Sequence, residues 1–280
     1  MIETRTFRAM GTDIELLVEA DGAERALDGA EQEFHRLEAL LSRFRDDSEL
    51  SRLNRDGSIE PGPDLERVVG MALEARQRTA GRFDPTVHDA VVAAGYDRSF
   101  ERVAPEGDVA AQVAPTTAAG SVWLRDGRIE LERGVRLDLG GIGKGYAAER
   151  AAEILAVAGP CLVNAGGDIA VRSGSWPVGV EGMTLELTEG GLATSGRDRR
   201  RWRRAGRELH HLIDPTTGAP AETDLLRVTV LAADAVDAEV AAKALFLVGS
   251  ERAAAEADAE GTPAVLVVED GRTVLAGGLA

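Results

Sequence analysis

Apolar residues recur at Ala26, Ala30, Phe34, Leu37 and Leu41, at spacings of three and four that predict an amphipathic helix over 23–41. A second helix is predicted over 65–79, with Pro61-Gly62-Pro63 ending whatever lies before it. The short apolar run at 14–18 predicts a strand. Beyond residue 120 the apolar runs shorten. Segments 122–124 and 129–131 flank Asp126-Gly127, which supplies the positive φ angles of a tight hairpin turn. Strands are expected at 161–164, 169–172, 176–180, 185–187 and 228–231, with helices over 146–157 and 236–248. A last hairpin is expected from 264 to 275 around Asp270-Gly271. Residues 104–120, rich in Ala, Pro, Gly and Thr, predict a surface loop or short insertion. The resulting order is α+β, with helices in the N-terminal part followed by a mostly antiparallel, strand-rich half. It lacks the strand–helix alternation of a doubly wound fold.

Composition narrows the class. A chain of 280 residues has room for one large domain or two small ones. With 44% hydrophobic and 29% charged residues it reads as an ordinary globular protein rather than a disordered one. Its 32 basic and 48 acidic side chains give a net charge of −16, which argues against a general nucleic-acid binder. The first twelve residues carry Glu3, Arg5 and Arg8 and no apolar stretch, so no secretory or lipoprotein leader is expected and the cytoplasm is the default location. No apolar run reaches the roughly 18 residues of a membrane span, so no membrane insertion is expected. The lone Cys161 excludes an internal disulfide and a cysteine metal cluster, and reads as a small buried hydrophobe.

Five stretches combine glycines with isolated polar groups. The first, DLGGIGKGY at 138–146, precedes a predicted helix, where exposed N–H groups favour an anion and Lys144 adds a point charge. It fits neither a Walker loop nor the dinucleotide fingerprint, and a purely structural glycine turn reads equally well. The second, NAGGDI at 164–169, reads as a turn whose Asp168 bonds its own backbone. The third, FDPTVH at 83–88, is a loop stiffened by Pro85, with Asp84 and Thr86 offering hydrogen bonds. The fourth runs from LATSG at 192–196 to HHLIDPTTG at 210–218. Adjacent histidines in a strand point to opposite faces, so at most one faces a given site, and a neutral His near an Asp acts as general base or orienter. The alternative is a turn built on Asp214-Pro215 with a satisfied histidine. Between these halves, residues 197–207 hold seven arginines and one aspartate, read either as a solvated hairpin tip or as a contact for phosphates or an acidic partner. In the fifth, over 234–249, Glu239 and Lys243 share one side of an otherwise apolar helix at i, i+4. Burying such a pair is costly unless something else binds it, so a site is as good a reading as a surface ion pair.

Together and in this order the stretches resemble the ApbE-like family of FAD:protein FMN transferases. The resemblance also takes in AMGT at 9–12, LSRFRDDSELSRLN at 41–54 and ALFLVG at 244–249, and so covers nearly the whole chain. It implies one ApbE-like α+β domain over 1–280, in which lobes of about 1–120 and 121–280 can be drawn. It also implies a reaction: FMN passes from FAD to a Thr or Ser hydroxyl of an acceptor protein, forming a phosphoester and releasing AMP. By similarity Met10, Phe44, Phe83, Asp84, Asp138, Lys144 and Lys243 line the FAD site. His211, with Asp214 in the same segment, is the candidate base or orienter beside the accepting hydroxyl, and Lys144 assists at the diphosphate. An FAD carrier, or a diphosphatase that yields FMN and AMP without transfer, is the alternative function.

At one point the chain departs from that pattern. The family commonly holds Mg²⁺ with a backbone carbonyl that maps to Gly141 and with an Asp and a Thr one helical turn apart. Those two positions are Glu239 and Lys243. Glu is a sound oxygen ligand for Mg²⁺, whereas a protonated lysine ligates no metal. Either Glu239 holds Mg²⁺ with waters beside Lys243, or the Lys243 ammonium replaces the metal and meets the diphosphate itself; a weakened or altered metal site is expected. Of the 32 basic residues only Lys144 and Lys243 are lysines, both in motifs assigned to the diphosphate. A compact ammonium there suits a place where a guanidinium fork does not fit. Lys144→Arg and Lys243→Arg are each expected to slow FAD turnover, and wild-type rates in both variants would discard the idea.

Overall fold

The computed structural model describes residues 1–107 and 120–279, so most of the loop expected over 104–120 lies outside the described residues. The chain divides into two compact units. The first comprises residues 1–38, 142–195 and 224–280, and the second 39–141 and 196–223. Both are discontinuous in sequence, so neither corresponds to a lobe cut near residue 120.

An eight-stranded sheet forms the first unit. Its spatial order is Ile2–Ala9, Thr12–Glu19, Cys161–Ala165, Asp168–Arg172, Gly190–Gly196, Leu225–Ala232, Ala264–Val268 and Thr273–Ala276. Antiparallel registers run along it, from Ile2 opposite Glu19, through Ile14 opposite Ala165, to Ala264 opposite Ala276. The inner residues of Cys161–Ala165 and Ala264–Val268 are almost all apolar and buried, as strands covered on both faces require. A separate hairpin, Trp176–Val180 with Met183–Leu187, packs its apolar alternation against Leu162, Ile169, Val171 and Val265. Cys161 is a free, buried thiol. Among the described residues, no helix is long and apolar enough to cross a membrane.

The chain opens on a strand pair ahead of its first helix; the second strand, Thr12–Glu19, covers the run expected at 14–18, and the first, Ile2–Ala9, adds to the expected elements. Strand Ile2–Ala9 escapes the hydrophobic pattern because its more buried side includes Glu3 and Arg5. Glu3 accepts the N–H groups of Gly22 and Ala23, just ahead of helix Glu24–Leu41, and Arg5 pairs with Asp28 and Glu31 on that helix. Phe7 is the strand's apolar anchor, edge-on to Phe34 at 5.6 Å. Its turn to the next strand is Met10-Gly11, with φ of 53° and 69°. A two-residue turn of that kind favours Asn-Gly, so a methionine there is strained.

The second unit is built from helices Glu49–Asp56, Pro63–Arg78 and His88–Ala93 and from a three-stranded sheet, Ser58–Ile59, Arg128–Leu131 and Val122–Arg125. The Asp126-Gly127 turn has φ of 51° and 70°, and Pro63 opens its helix at a position where no N–H is needed. Helix Glu49–Asp56, too short to show a period, is bracketed by the Ser48 cap on Ser51 N–H and by Gly57 at φ 74°. The arginine run forms a hairpin of Arg201–Arg204 and Arg207–His210. It is not solvated throughout. Trp202 turns inward, is 2% exposed and donates from Nε1 to the Ala94 carbonyl at 2.8 Å.

Candidate active site

In the first unit the chemistry gathers where two helices begin. Helix Gly143–Leu155 meets helix Ala235–Phe246 so closely that a side chain at Gly145 would stand 2.8 Å from the Ala235 carbonyl oxygen. That approach is the reason for Gly145 in the glycine turn. Each helix lends a carboxylate to the other's N-terminus. Glu239 Oε2 accepts Gly145 N–H at 3.0 Å, and Glu149 Oε1 accepts Ala235 N–H at 2.7 Å. Both carboxylates thereby meet orphan donors and the positive ends of helix dipoles.

Lys144 lies in the first turn of its helix and reaches two buried carboxylates, Asp168 and, at 2.6 Å, Glu239 Oε1. Burial pushes the Asp168 carboxyl up to about 6, while the nearby Lys144 and Lys243 ammonium groups pull it down. Lys243, half-buried one turn beyond Glu239, completes a cluster of two carboxylates and two ammoniums. Asp168 does not fold back on its own turn. It lies in a strand, and Asn164 Oδ1 takes that task by accepting Gly167 N–H at 2.9 Å.

In the second unit the Arg43 guanidinium lies 4.1 Å from the Phe44 ring centre and 4.7 Å from that of Tyr96. It meets Asp138 Oδ2 at 2.9 Å and donates to the Tyr96 carbonyl at 2.8 Å. Phe44 keeps 40% of its surface exposed, leaving an aromatic face backed by a fixed cation. Asp138 Oδ1 accepts Gly140 N–H at 2.7 Å and so shapes the start of the glycine turn. Nearby, His88 Nδ1 stands 2.8 Å from Asp89, which also pairs with Arg136, and burial holds the His88 imidazole below its ordinary value. Phe83 is buried. Asp84 is equally enclosed: Oδ1 accepts the Thr86 N–H and hydroxyl at 2.8 and 2.7 Å, and Oδ2 faces Arg76 at 3.2 Å. The adjacent histidines part company. His210 is buried, its Nε2–H donating to the Ala221 carbonyl and its Nδ1 accepting Leu212 N–H, whereas His211 is only half-buried, in a bend beyond the strand. Asp214 Oδ1 accepts the N–H and hydroxyl of Thr216, an Asx turn that starts the next tight reversal.

The ApbE family matches residues 10–266. The chain belongs to the ApbE family. It is 30% identical over 254 residues to a FAD:protein FMN transferase from Treponema pallidum, covering 78% of this chain and 70% of that one. It is 29% identical to a FAD:protein FMN transferase from Salmonella typhimurium, with 83% and 73% covered. Among solved structures, an ApbE protein from Thermotoga maritima superposes with a TM-score of 0.89 at 24% identity, over 99% of this chain and 97% of that one. The flavinyl transferase ApbE from Pseudomonas stutzeri, in its apo form, gives 0.85 at 23% identity, over 99% and 95%. These two structures show that the fold is that of ApbE, an α+β fold.

In this ApbE-family chain, Lys144, Glu239 and Lys243 come together in one cluster of the first unit, and Met10 occupies the strained turn of the same unit. Phe44, Phe83, Asp84, Asp138, His211 and Asp214 all belong to the second unit, as does Gly141. Asp168 and Arg43 were not assigned to a site from the sequence. Asp168 had a signal, a lone acid after paired glycines between strands. Arg43 had none, being one of 30 arginines.

The His210 imidazole, held down to about 4 by burial, stays neutral in the folded protein where an unfolded histidine near 6.5 takes a proton. Its contribution to stability is therefore complete above pH 6.5 and is lost as pH falls toward 4, by up to about 3 kcal/mol. Urea unfolding between pH 7 and 4.5 should lose part of this slope in His210→Gln. An unchanged slope would contradict the assignment.

Proposed function

We propose that this protein transfers FMN from FAD to a Thr or Ser hydroxyl of an acceptor protein and releases AMP. The observation that carries the reading is the Lys144 ammonium, held on two buried carboxylates at the first turn of a helix. The relatives named FAD:protein FMN transferase supply the substrate and the reaction class.

The reaction is a displacement at phosphorus. The acceptor oxygen forms a bond to the FMN phosphorus, the diphosphate P–O bond to AMP breaks, and AMP leaves with its added negative charge. Catalysis is mostly positioning and neutralisation of charge on the phosphate oxygens. In the first unit, Lys144 and Lys243 supply positive charge at the diphosphate, and Met10 adds an apolar contact. In the second, Phe44 offers its exposed ring to the isoalloxazine, while Phe83, Asp84 and Asp138 hold the surrounding loops in shape. His211 takes or orients the proton of the accepting hydroxyl, and Asp214 fixes the loop that carries it.

The divalent-cation position implied by the family fits poorly. Both oxygens of Glu239 already accept hydrogen bonds, one from Lys144 and one from Gly145 N–H. Position 243 offers an ammonium in place of a hydroxyl. The Gly141 carbonyl alone makes no site, and the steps above use only the chain's own residues.

Incubation with FAD and an acceptor domain bearing a flavinylation threonine, read by intact mass, tests the reading. One added FMN phosphoester is expected, slowed about 10²-fold or more in His211→Ala. Release of FMN and AMP without transfer would overturn it in favour of a diphosphatase, and tight FAD binding without turnover in favour of a carrier.

A further inference from the structure

The cluster of Lys144, Asp168, Glu239 and Lys243 has an unusual charge count for a place that receives a diphosphate with a divalent cation. Two carboxylates and two ammoniums sum to zero. With a hydroxyl at position 243 the same cluster would carry −1 and offer a neutral oxygen ligand. Lysine changes both at once.

Three features bear on what Lys243 does. Lys144 already has its ammonium shared between Asp168 and Glu239. Glu239 is doubly engaged, since it also closes the N-terminus of the neighbouring helix through Gly145 N–H. Lys243 lies at i+4 from Glu239, on the same side of the helix. There its charge is close enough to Asp168 to act on that carboxyl. A divalent cation approaching Glu239 would meet two like charges, and its second side-chain ligand would be an ammonium.

We infer that the Lys243 ammonium stands where the family places a divalent cation, so that this chain binds the FAD diphosphate without metal. The inference rests on the reading of this cluster as the diphosphate end of an FAD site. A fixed ammonium donates up to three hydrogen bonds to phosphate oxygens and brings one positive charge. The cluster is neutral before the diphosphate arrives, where a hydroxyl at position 243 would leave it negative.

The test is FAD affinity, followed by flavin fluorescence, in EDTA and in excess MgCl₂. For the unmodified protein the two affinities should agree within about twofold. Lys243→Thr should weaken metal-free binding by about tenfold or more. Glu239→Asp with Lys243→Thr should recover FAD affinity only when Mg²⁺ is present. Melting curves without FAD establish that each variant is folded, and the comparison on the unmodified protein decides even if a variant fails. Binding by the unmodified protein that EDTA abolishes and Mg²⁺ restores would overturn the inference while leaving the FAD site standing. Folded protein that binds no FAD in either buffer would overturn both.

Discussion

Two helices of the first unit begin side by side, and the closeness of Gly145 to the Ala235 carbonyl sets the arrangement of everything around them. There two positive helix ends and their orphan N–H groups lie close together. The chain answers by exchanging carboxylates: Glu239 serves one helix and Glu149 the other. Glu149 in turn pairs with Arg172, and burial raises its proton affinity. Glu239 keeps its second oxygen for Lys144, which ties in Asp168 from the adjoining strand. A helix-packing constraint thus becomes a charged cluster with fixed positions. Buried ion pairs give little net stability by themselves, so the return on this one is a preset electrostatic environment at a helix terminus.

The second unit spends its polar groups differently. Asp84, Asp138 and Asp214 each accept a backbone N–H two residues ahead, so three carboxylates that read as ligand contacts also shape turns. Asp84 and Asp138 are further pinned by arginines. This does not disqualify them from a site. Loops that must present an aromatic ring or a histidine accurately need such anchors, and Arg43 links one of these carboxylates to the faces of Phe44 and Tyr96. His210 and His211 divide the same way, one locked between backbone groups and the other outside the strand.

Much of this was legible before any coordinates. The helix of residues 24–41, the Asp126-Gly127 hairpin and the strands after residue 160 follow from period and turn chemistry, because their inner faces are apolar. Strand Ile2–Ala9 was not, since part of its inner face is made of ion pairs and caps that periodicity does not register. The same limit hid the true use of Asp168 and Arg43, whose partners lie 24 and 95 residues away along the chain. Glycines misled in another way. The glycine stretch at 138–146 read equally well as an anion turn or as a structural one, and at Gly145 the backbone is approached by the neighbouring helix. The discontinuous make-up of the two units was also not read from the sequence, because hydrophobic period and turn chemistry report local elements and not which of them pack together.

The account stands on Lys144 and Glu239 forming one cooperative, ionised unit rather than two independent side chains. A double-mutant cycle in urea with Lys144→Met, Glu239→Gln and the pair measures this directly. Each single change should cost about 3 kcal/mol or more by stranding a buried charge, and the double should cost less than their sum by about 2 kcal/mol. Additivity within about 0.5 kcal/mol would mean that the two residues do not act on each other, and would contradict the account.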